Sequence, residues 1–305
     1  MHAELGIGQH LRQELISRQL PEGGWPYTQG SSQAALEPSC LALLALCSDK
    51  TSAADMAIRF LLAMQNSNGS WPAFAGDGPE GSGLTGLALL ALSRCGVKGE
   101  VTDRGFQWLL NLRGWESHWL WRWKFKTSDR HVRFDPDKFG WPWMPQTVSW
   151  VVPTAYSLLA LKERFGNFPA GLVRFRIRRG VEMLYDRSCP QGGWNAGNGV
   201  VYGHPLAPHV DTTAVALLAL RDEPTYGLTA DSLAWLEHRA RSCSPPWSLA
   251  WAILALDAHG LPTYPLFANF AKASERGEIK DNATLAVASL AFDCALERNP
   301  FKARA

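Results

Sequence analysis

The stretch "AIRFLLAMQNSNGSWPAFAGDGPEGSGLTGLALLAL", residues 57–92, holds two kinds of helical text on either side of a Gly/Trp/Pro loop. Over 53–65 the apolar residues recur at three- and four-residue steps, with polar residues opposite. That is the pattern of a helix with one buried face. Over 87–92 the text is "LALLAL", apolar all round. A helix of that kind has to be covered on every side.

The pair is written six times, which makes an internal repeat the first fact of the fold. Ala/Leu-rich cores lie at 41–46, 87–92, 156–161, 215–220, 251–256 and 284–290. One-faced helices are expected at about 4–19, 53–65, 101–113, 172–187, 228–241 and 265–275. Trp25 precedes Leu41 by the same interval that separates Trp71 from Leu87. Six inner helices ringed by six outer ones satisfy both burial demands. The expectation is an all-α, α6/α6 toroid without strands, one domain over 1–305, with a Trp-rich insertion at 114–146. In such a ring the inner helices run parallel. The long Gly/Trp/Pro/His loops therefore gather at one end, where helix N-termini also point, and function is expected there.

These residues resemble the squalene-hopene and oxidosqualene cyclases. "AIRFLLAMQNSNGSW" (57–71) looks like their QW motif, an aromatic and aliphatic pair, then Gln, then Gly-x-Trp. "QLPEGGW" (19–25) carries its second half. "DRGFQWLLNLR" (103–113) carries the first, with Arg113 in the Gln place. "RRGVEMLYDRSCPQGGW" (178–194) has Met183 in the aromatic place. The resemblance implies the prenyltransferase and squalene-cyclase toroid superfamily, and structural roles for Trp25, Trp71 and Trp194. Class II cyclases open an inner helix with D-x-D-D-T-A, whose middle Asp protonates an alkene or epoxide. "PHVDTTA" (208–214) is similar, with His209, Asp211 and Thr212 at the three acidic places. The resemblance thus implies protonation-initiated cyclisation of an isoprenoid, Asp211 the general acid, His209 and Thr212 its modulators. No Asp-Asp pair is present to hold magnesium and diphosphate, and no Asp-x-Cys to hold zinc. No cofactor and no metal are therefore expected.

Taken alone, Asp211 has two readings. It is an N-cap, accepting the free N–H groups of its helix. Or it is a recessed acid whose apolar surroundings keep it protonated, with His209 stabilising the anion left behind. His204, His209 and Asp211 also form an H-x4-H-x-D cluster that could ligate a metal. Trp141, Trp143, Trp150 and Tyr202, with His204, are expected to wall a substrate pocket, where Trp faces would stabilise a carbocation. The same insertion residues could equally pack as a lid. Its Arg122, Lys124, Lys126, Arg130 and Arg133 either hold an anionic head group or form a solvated face. Glu37, Asp77 and Asp281 fall at inner-helix starts and should share the rim with Asp211. That acidic rim keeps open a sugar-acting α6/α6 barrel, a glycoside hydrolase or lyase. A non-catalytic isoprenoid- or lipid-binding toroid is the other alternative.

A formal net charge of +2 gives no reason to expect nucleic acid as a partner. The expected partner is a small isoprenoid, with peripheral membrane contact. A partner subunit or homo-oligomer is also expected, because the full-length triterpene cyclases set their site between two toroids. No signal-peptide pattern opens the chain, and its six cysteines are scattered without a C-x-x-C pair. They read as reduced thiols of a cytoplasmic protein.

Overall fold

The computed structural model describes residues 2–128, 131–166, 169–224 and 227–302. The chain enters through α1 (His2–Ser17), α2 (Leu36–Leu46), α3 (Ser52–Ala63), α4 (Thr85–Arg94) and α5 (Glu100–Asn111). A short α6 (Trp119–Thr127) lies in the insertion. Then follow α7 (Val151–Phe165), α8 (Gly171–Asp186), α9 (Val210–Leu220), α10 (Leu228–Ala240), α11 (Pro246–Ala258), α12 (Tyr264–Glu275) and α13 (Asn282–Asp293). A small hairpin pairs β1 (Val200–Val201) with β2 (His204–Pro205), a departure from the strand-free expectation. Helix α6 is likewise absent from the periodic pattern, because it buries no residue and so shows no core stripe.

The inner ring runs α2, α4, α7, α9, α11, α13, each helix packed on the next, and α13 packs back on α2. Outer helices α3, α5, α8, α10 and α12 each lean on the inner helix before them, and α1 leans on α13. The architecture is an all-α toroid. Burial follows the two kinds of text. Every residue of α13 is buried, and so is every residue of α2 except Glu37. Helix α5 buries only Thr102, Gly105, Phe106 and Leu109, one stripe at helical spacing.

One stitch is repeated four times. The indoles of Trp25, Trp71, Trp141 and Trp194 are fully buried. Their Nε1–H groups donate to the carbonyls of Leu15, Leu61, Leu109 and Leu184, each at the end of an outer helix. Their backbone N–H groups donate to the hydroxyls of Ser39, Thr85, Thr154 and Thr213, each on the next inner helix. One residue thus ties an outer helix to an inner one, its indole bonded to a carbonyl in the last turn of the outer helix.

Neighbouring outer helices are tied too. Gln19 Nε2 donates to the carbonyls of Gly23 and Ala53, and Gln65 Nε2 to those of Gly69 and Val101. Gly23 (φ +102°) and Gly69 (φ +92°) are in the positive-φ region. A Cβ there would lie 2.4 Å from the Met56 carbonyl oxygen and 2.6 Å from that of Arg104. Only glycine lets the loop pass. The third tie departs from the expected pattern. Arg113 is exposed, and the Leu112 carbonyl is instead reached by the buried Arg176 of α8, at 2.6 Å.

Cys47 and Cys95, expected as separate thiols, are joined in a disulfide. They end the adjacent inner helices α2 and α4, a proximity that the cysteine spacing does not reveal. Among the described residues no helix is long and apolar enough to cross a membrane.

Candidate functional site

Each Gly/Trp loop enters an inner helix at the same end of the ring, and backbone bonds join the loops into a collar. Ala75 N donates to Ala34 O, Gly83 N to Trp143 O, Val151 N to Ala196 O and Asn282 N to Tyr27 O. Between α10 and α11 the connection shortens to residues 241–245, and Trp247 takes its place at the rim.

Inside the collar stand Tyr27, Glu37, Asp211, Trp247 and Asp281. All five are partly exposed, so the mouth that they line is reachable from solvent. Tyr27 Oη donates to Glu37 Oε2 at 2.7 Å. Burial holds the Glu37 carboxyl above the usual carboxylate range; the bond from Tyr27 pulls it partly back, and Asp281 pushes it up again. Burial, and then the charge of Glu37, raise the Tyr27 phenol, which keeps it a donor. Across the ring, Trp247 Nε1 donates to Asp211 Oδ2 at 3.2 Å. Asp281 is the N-cap of α13 and accepts from Thr284 N at 2.8 Å.

Below the mouth the axis is filled by aromatic rings. Tyr156 of α7 meets Trp251 of α11 at 6.3 Å between centroids. Those helices are not neighbours in the ring, so the pair spans the axis. Trp247 packs edge-on to Trp251 at 5.8 Å, and Phe301 meets Trp251 from the far side at 5.8 Å. Tyr156, Trp251 and Phe301 are all buried, and the phenol of Tyr156 is raised by burial and by Glu37. The mouth is therefore a bowl over an aromatic floor.

Asp211 is not a cap. The N-cap of α9 is His209, with extended backbone, and Asp211 lies within the first turn. The His209 side chain is exposed, and the hydrogen bond to the Asp211 carboxyl comes from Trp247. Thr212 is buried beside it. His204 is exposed on β2 and does not converge with His209 and Asp211 into a group that could hold a metal ion.

Trp141 is a correction. It is a fourth structural tryptophan, wholly buried between α5 and α7, and not a pocket wall. Trp143 is half-buried against the core, and its carbonyl holds Gly83. Trp150 is the N-cap residue of α7, with its ring over Gly197. Tyr202 is 70% exposed at the hairpin turn, its ring tilted against His131 at 5.0 Å between centroids. Glu37 is at the mouth as expected; Asp77 is exposed and accepts from Phe74 N. Arg130 lies outside the described residues.

The insertion is pinned to α8 from the side. The buried Glu116 accepts from Ser149 N and faces Arg187 Nη2 at 3.6 Å. The Arg187 guanidinium lies 3.9 Å over Phe134. A cleft of about 670 Å³ remains there, lined by Arg133, Lys138, Tyr185 and Asp186 among others.

Sequence reading missed Tyr27 and Trp247. Both carry a signal. Tyr27 directly follows the repeated Trp-Pro, and Trp247 opens an inner helix one turn ahead of Trp251.

No family model matches the chain, and no curated protein matches it. Solved structures do. An α-amylase from Clostridium perfringens is 9% identical, with a TM-score of 0.66 over 94% of this chain and 97% of that one. The family 8 endoglucanase Cel10 from Klebsiella pneumoniae is 14% identical, with a TM-score of 0.60 over 94% and 99%. The type II terpene cyclase MstE from Scytonema is 15% identical, with a TM-score of 0.56 over 93% and 81%. At these identities the likeness is one of fold, and that fold carries both chemistries.

Proposed function

We propose that the protein is an acid–base enzyme working in the bowl at the mouth of the toroid, with Glu37 donating the proton and Asp211 as the second carboxyl. The observation that carries this is the Glu37 carboxyl, held above its usual range by burial, bonded to Tyr27 and still reachable. A carboxyl of raised pKa holds its proton more tightly and is a weaker acid. It is matched to protonating an oxygen, such as a glycosidic or hydroxyl oxygen, and poorly matched to a C=C bond. Glycoside hydrolysis uses a pair of carboxyl groups, and Glu37 and Asp211 both stand in first turns of inner helices at this mouth. The partly exposed rings of Tyr27 and Trp247 at the mouth give a sugar ring a face to stack on.

Protonation-initiated cyclisation of an isoprenoid is the second reading, favoured by one specific contact. The N–H of Trp247 on Asp211 would stabilise the anion left by proton donation. Tyr27 and Trp247, the partly exposed rings of the mouth, would then face a cation.

Turnover of a panel of oligosaccharides and of prenyl compounds separates the two. Under the first reading the wild type converts a saccharide, and Glu37→Gln and Asp211→Asn each lower kcat by about 10²-fold or more. Conversion of a prenyl compound, lost in Asp211→Asn and kept in Glu37→Gln, would establish the second reading. A saccharide turned over at full rate by Glu37→Gln would remove Glu37 from the chemistry.

A further inference from the structure

Helix α6 is set apart from the other helices by what it exposes. Trp119 is 71% exposed, Trp123 61% and Leu120 49%. Trp121 and Phe125, on the opposite side, turn inward onto Trp115 and Phe134. The helix therefore has an apolar face toward the protein and a second, indole-rich face toward solvent. Its charged residues are Arg122, Lys124 and Lys126, with no acid among them. Arg122 and Lys126 share one counter-charge, Asp137, and Lys124 lies over the Trp121 ring.

Beside this face lies a cleft of about 490 Å³ between α6 and the β1–β2 hairpin. Its apolar floor includes Phe125, Phe134 and Val200, and its polar side chains are Lys126, His131 and Arg133. Among the described residues lining it there is no carboxylate. The Arg133 main chain is fixed by its N–H on the Val200 carbonyl, while its side chain is exposed.

We propose that α6 and the hairpin form a docking face for an anionic phospholipid surface. Trp119, Leu120 and Trp123 would enter the interfacial layer, and the cleft between α6 and the hairpin would take a headgroup phosphate. The chemistry of the face selects this occupant. Indole rings with one polar edge favour the boundary between headgroup and acyl chain. Cations around them favour an anionic leaflet, and a face with both is the pattern of an interfacial helix. A protein partner would have to leave those cations solvated or bring acids to meet them. The proposal is independent of the acid–base reading of the mouth.

The test is co-flotation of the full-length chain with vesicles of phosphatidylcholine alone and of phosphatidylcholine mixed with phosphatidylglycerol. The wild type should float with the mixed vesicles, and added salt should weaken binding. Replacing Trp119 and Trp123 together by Ser should lower the bound fraction about tenfold. Lys126→Glu and Arg133→Glu should each lower it about fivefold. Since α6 buries none of its residues, these variants should keep the circular dichroism of the wild type. The proposal fails if the wild type does not float, if it floats equally with both vesicle types, or if the variants float as it does. Concentration-dependent self-association that the double Trp variant abolishes, without flotation, would assign the face to a second copy. Binding of glycerol 3-phosphate in solution, lost in Arg133→Glu and without flotation, would make the cleft a soluble-phosphate site. Either of these results overturns the membrane assignment.

Discussion

The backbone N–H of Trp194 donates to Thr213 Oγ1 at 2.9 Å, across nineteen positions of sequence. A residue of the "HVDTTA" stretch is thereby committed to holding the ring together. Its hydroxyl also donates to the Trp194 carbonyl at 3.1 Å. Thr213→Val keeps the shape and removes both bonds, leaving a buried N–H unsatisfied. The expected cost is about 1–3 kcal/mol, seen as a fall in melting temperature. Thr213→Ser should recover most of it.

Gly105 and Gly180 face the rings of Trp71 and Trp141, and a Cβ there would sit 2.7 Å and 2.8 Å from ring carbons. In an exposed helix Gly→Ala gains up to about 1 kcal/mol. Here those indoles are fixed at both ends by hydrogen bonds and cannot retreat. Overpacking of about 1–3 kcal/mol should win. Both Gly105→Ala and Gly180→Ala are expected to lower the denaturation midpoint; a rise in either would show that the ring has room to move.

Glu37 ties pH to stability. Its folded-state pKa is raised from an ordinary value of 4.5, chiefly by burial. The folded protein therefore binds this proton more tightly than the unfolded chain. The resulting stability is fully present below the unfolded value and is lost as pH rises through the folded one. Glu37→Gln has no proton to lose. Relative to wild type, its melting temperature should climb as pH rises past about 4.5 and then level off. A difference that is flat across that range would mean the carboxyl pays no burial penalty.

Six cysteines with one pair joined leave four thiols, at Cys40, Cys189, Cys243 and Cys294. Thiol titration of the denatured, unreduced protein should count these four, and all six after reduction. Closing a loop of this size adds about 3–4 kcal/mol in the chain-entropy model, so reduction should lower the melting temperature. Six thiols before reduction would show Cys47 and Cys95 to be unpaired.

The toroid was legible because its two helix types differ in a property that periodicity measures, and because the Trp loops repeat in register. The Ser/Thr partners were not read, because their spacing varies: Ser39 and Thr85 each follow their Trp by fourteen residues, Thr154 by thirteen and Thr213 by nineteen. Trp141 hid for a physical reason. Its outer-helix partner, Leu109, lies 32 residues back instead of the usual ten, because the insertion intervenes. Asp211 was legible as a rim residue. Its bond to Trp247 was not, since it joins two helices 36 positions apart. The aromatic floor is a property of side chains meeting across the axis, and no local pattern encodes which inner residues point there.

The ring closes where α1 lies against α13. Arg12 reaches Asp293 and Asp49, and Arg18 bonds Asn282 at 3.1 Å. Arg12 and Asp293 are separated by 281 positions. During synthesis α1 emerges long before α13, the surface that covers it. Until then its buried stripe, with Leu11 and Leu15 in it, is open to chaperones or to another nascent chain. Closure is a long-range step late in folding, and such steps are slow. A circular permutation that joins α13 to α1 and opens the ring in the short turn between α2 and α3 would make α1 and α13 consecutive in synthesis, and would turn that encounter into a local one.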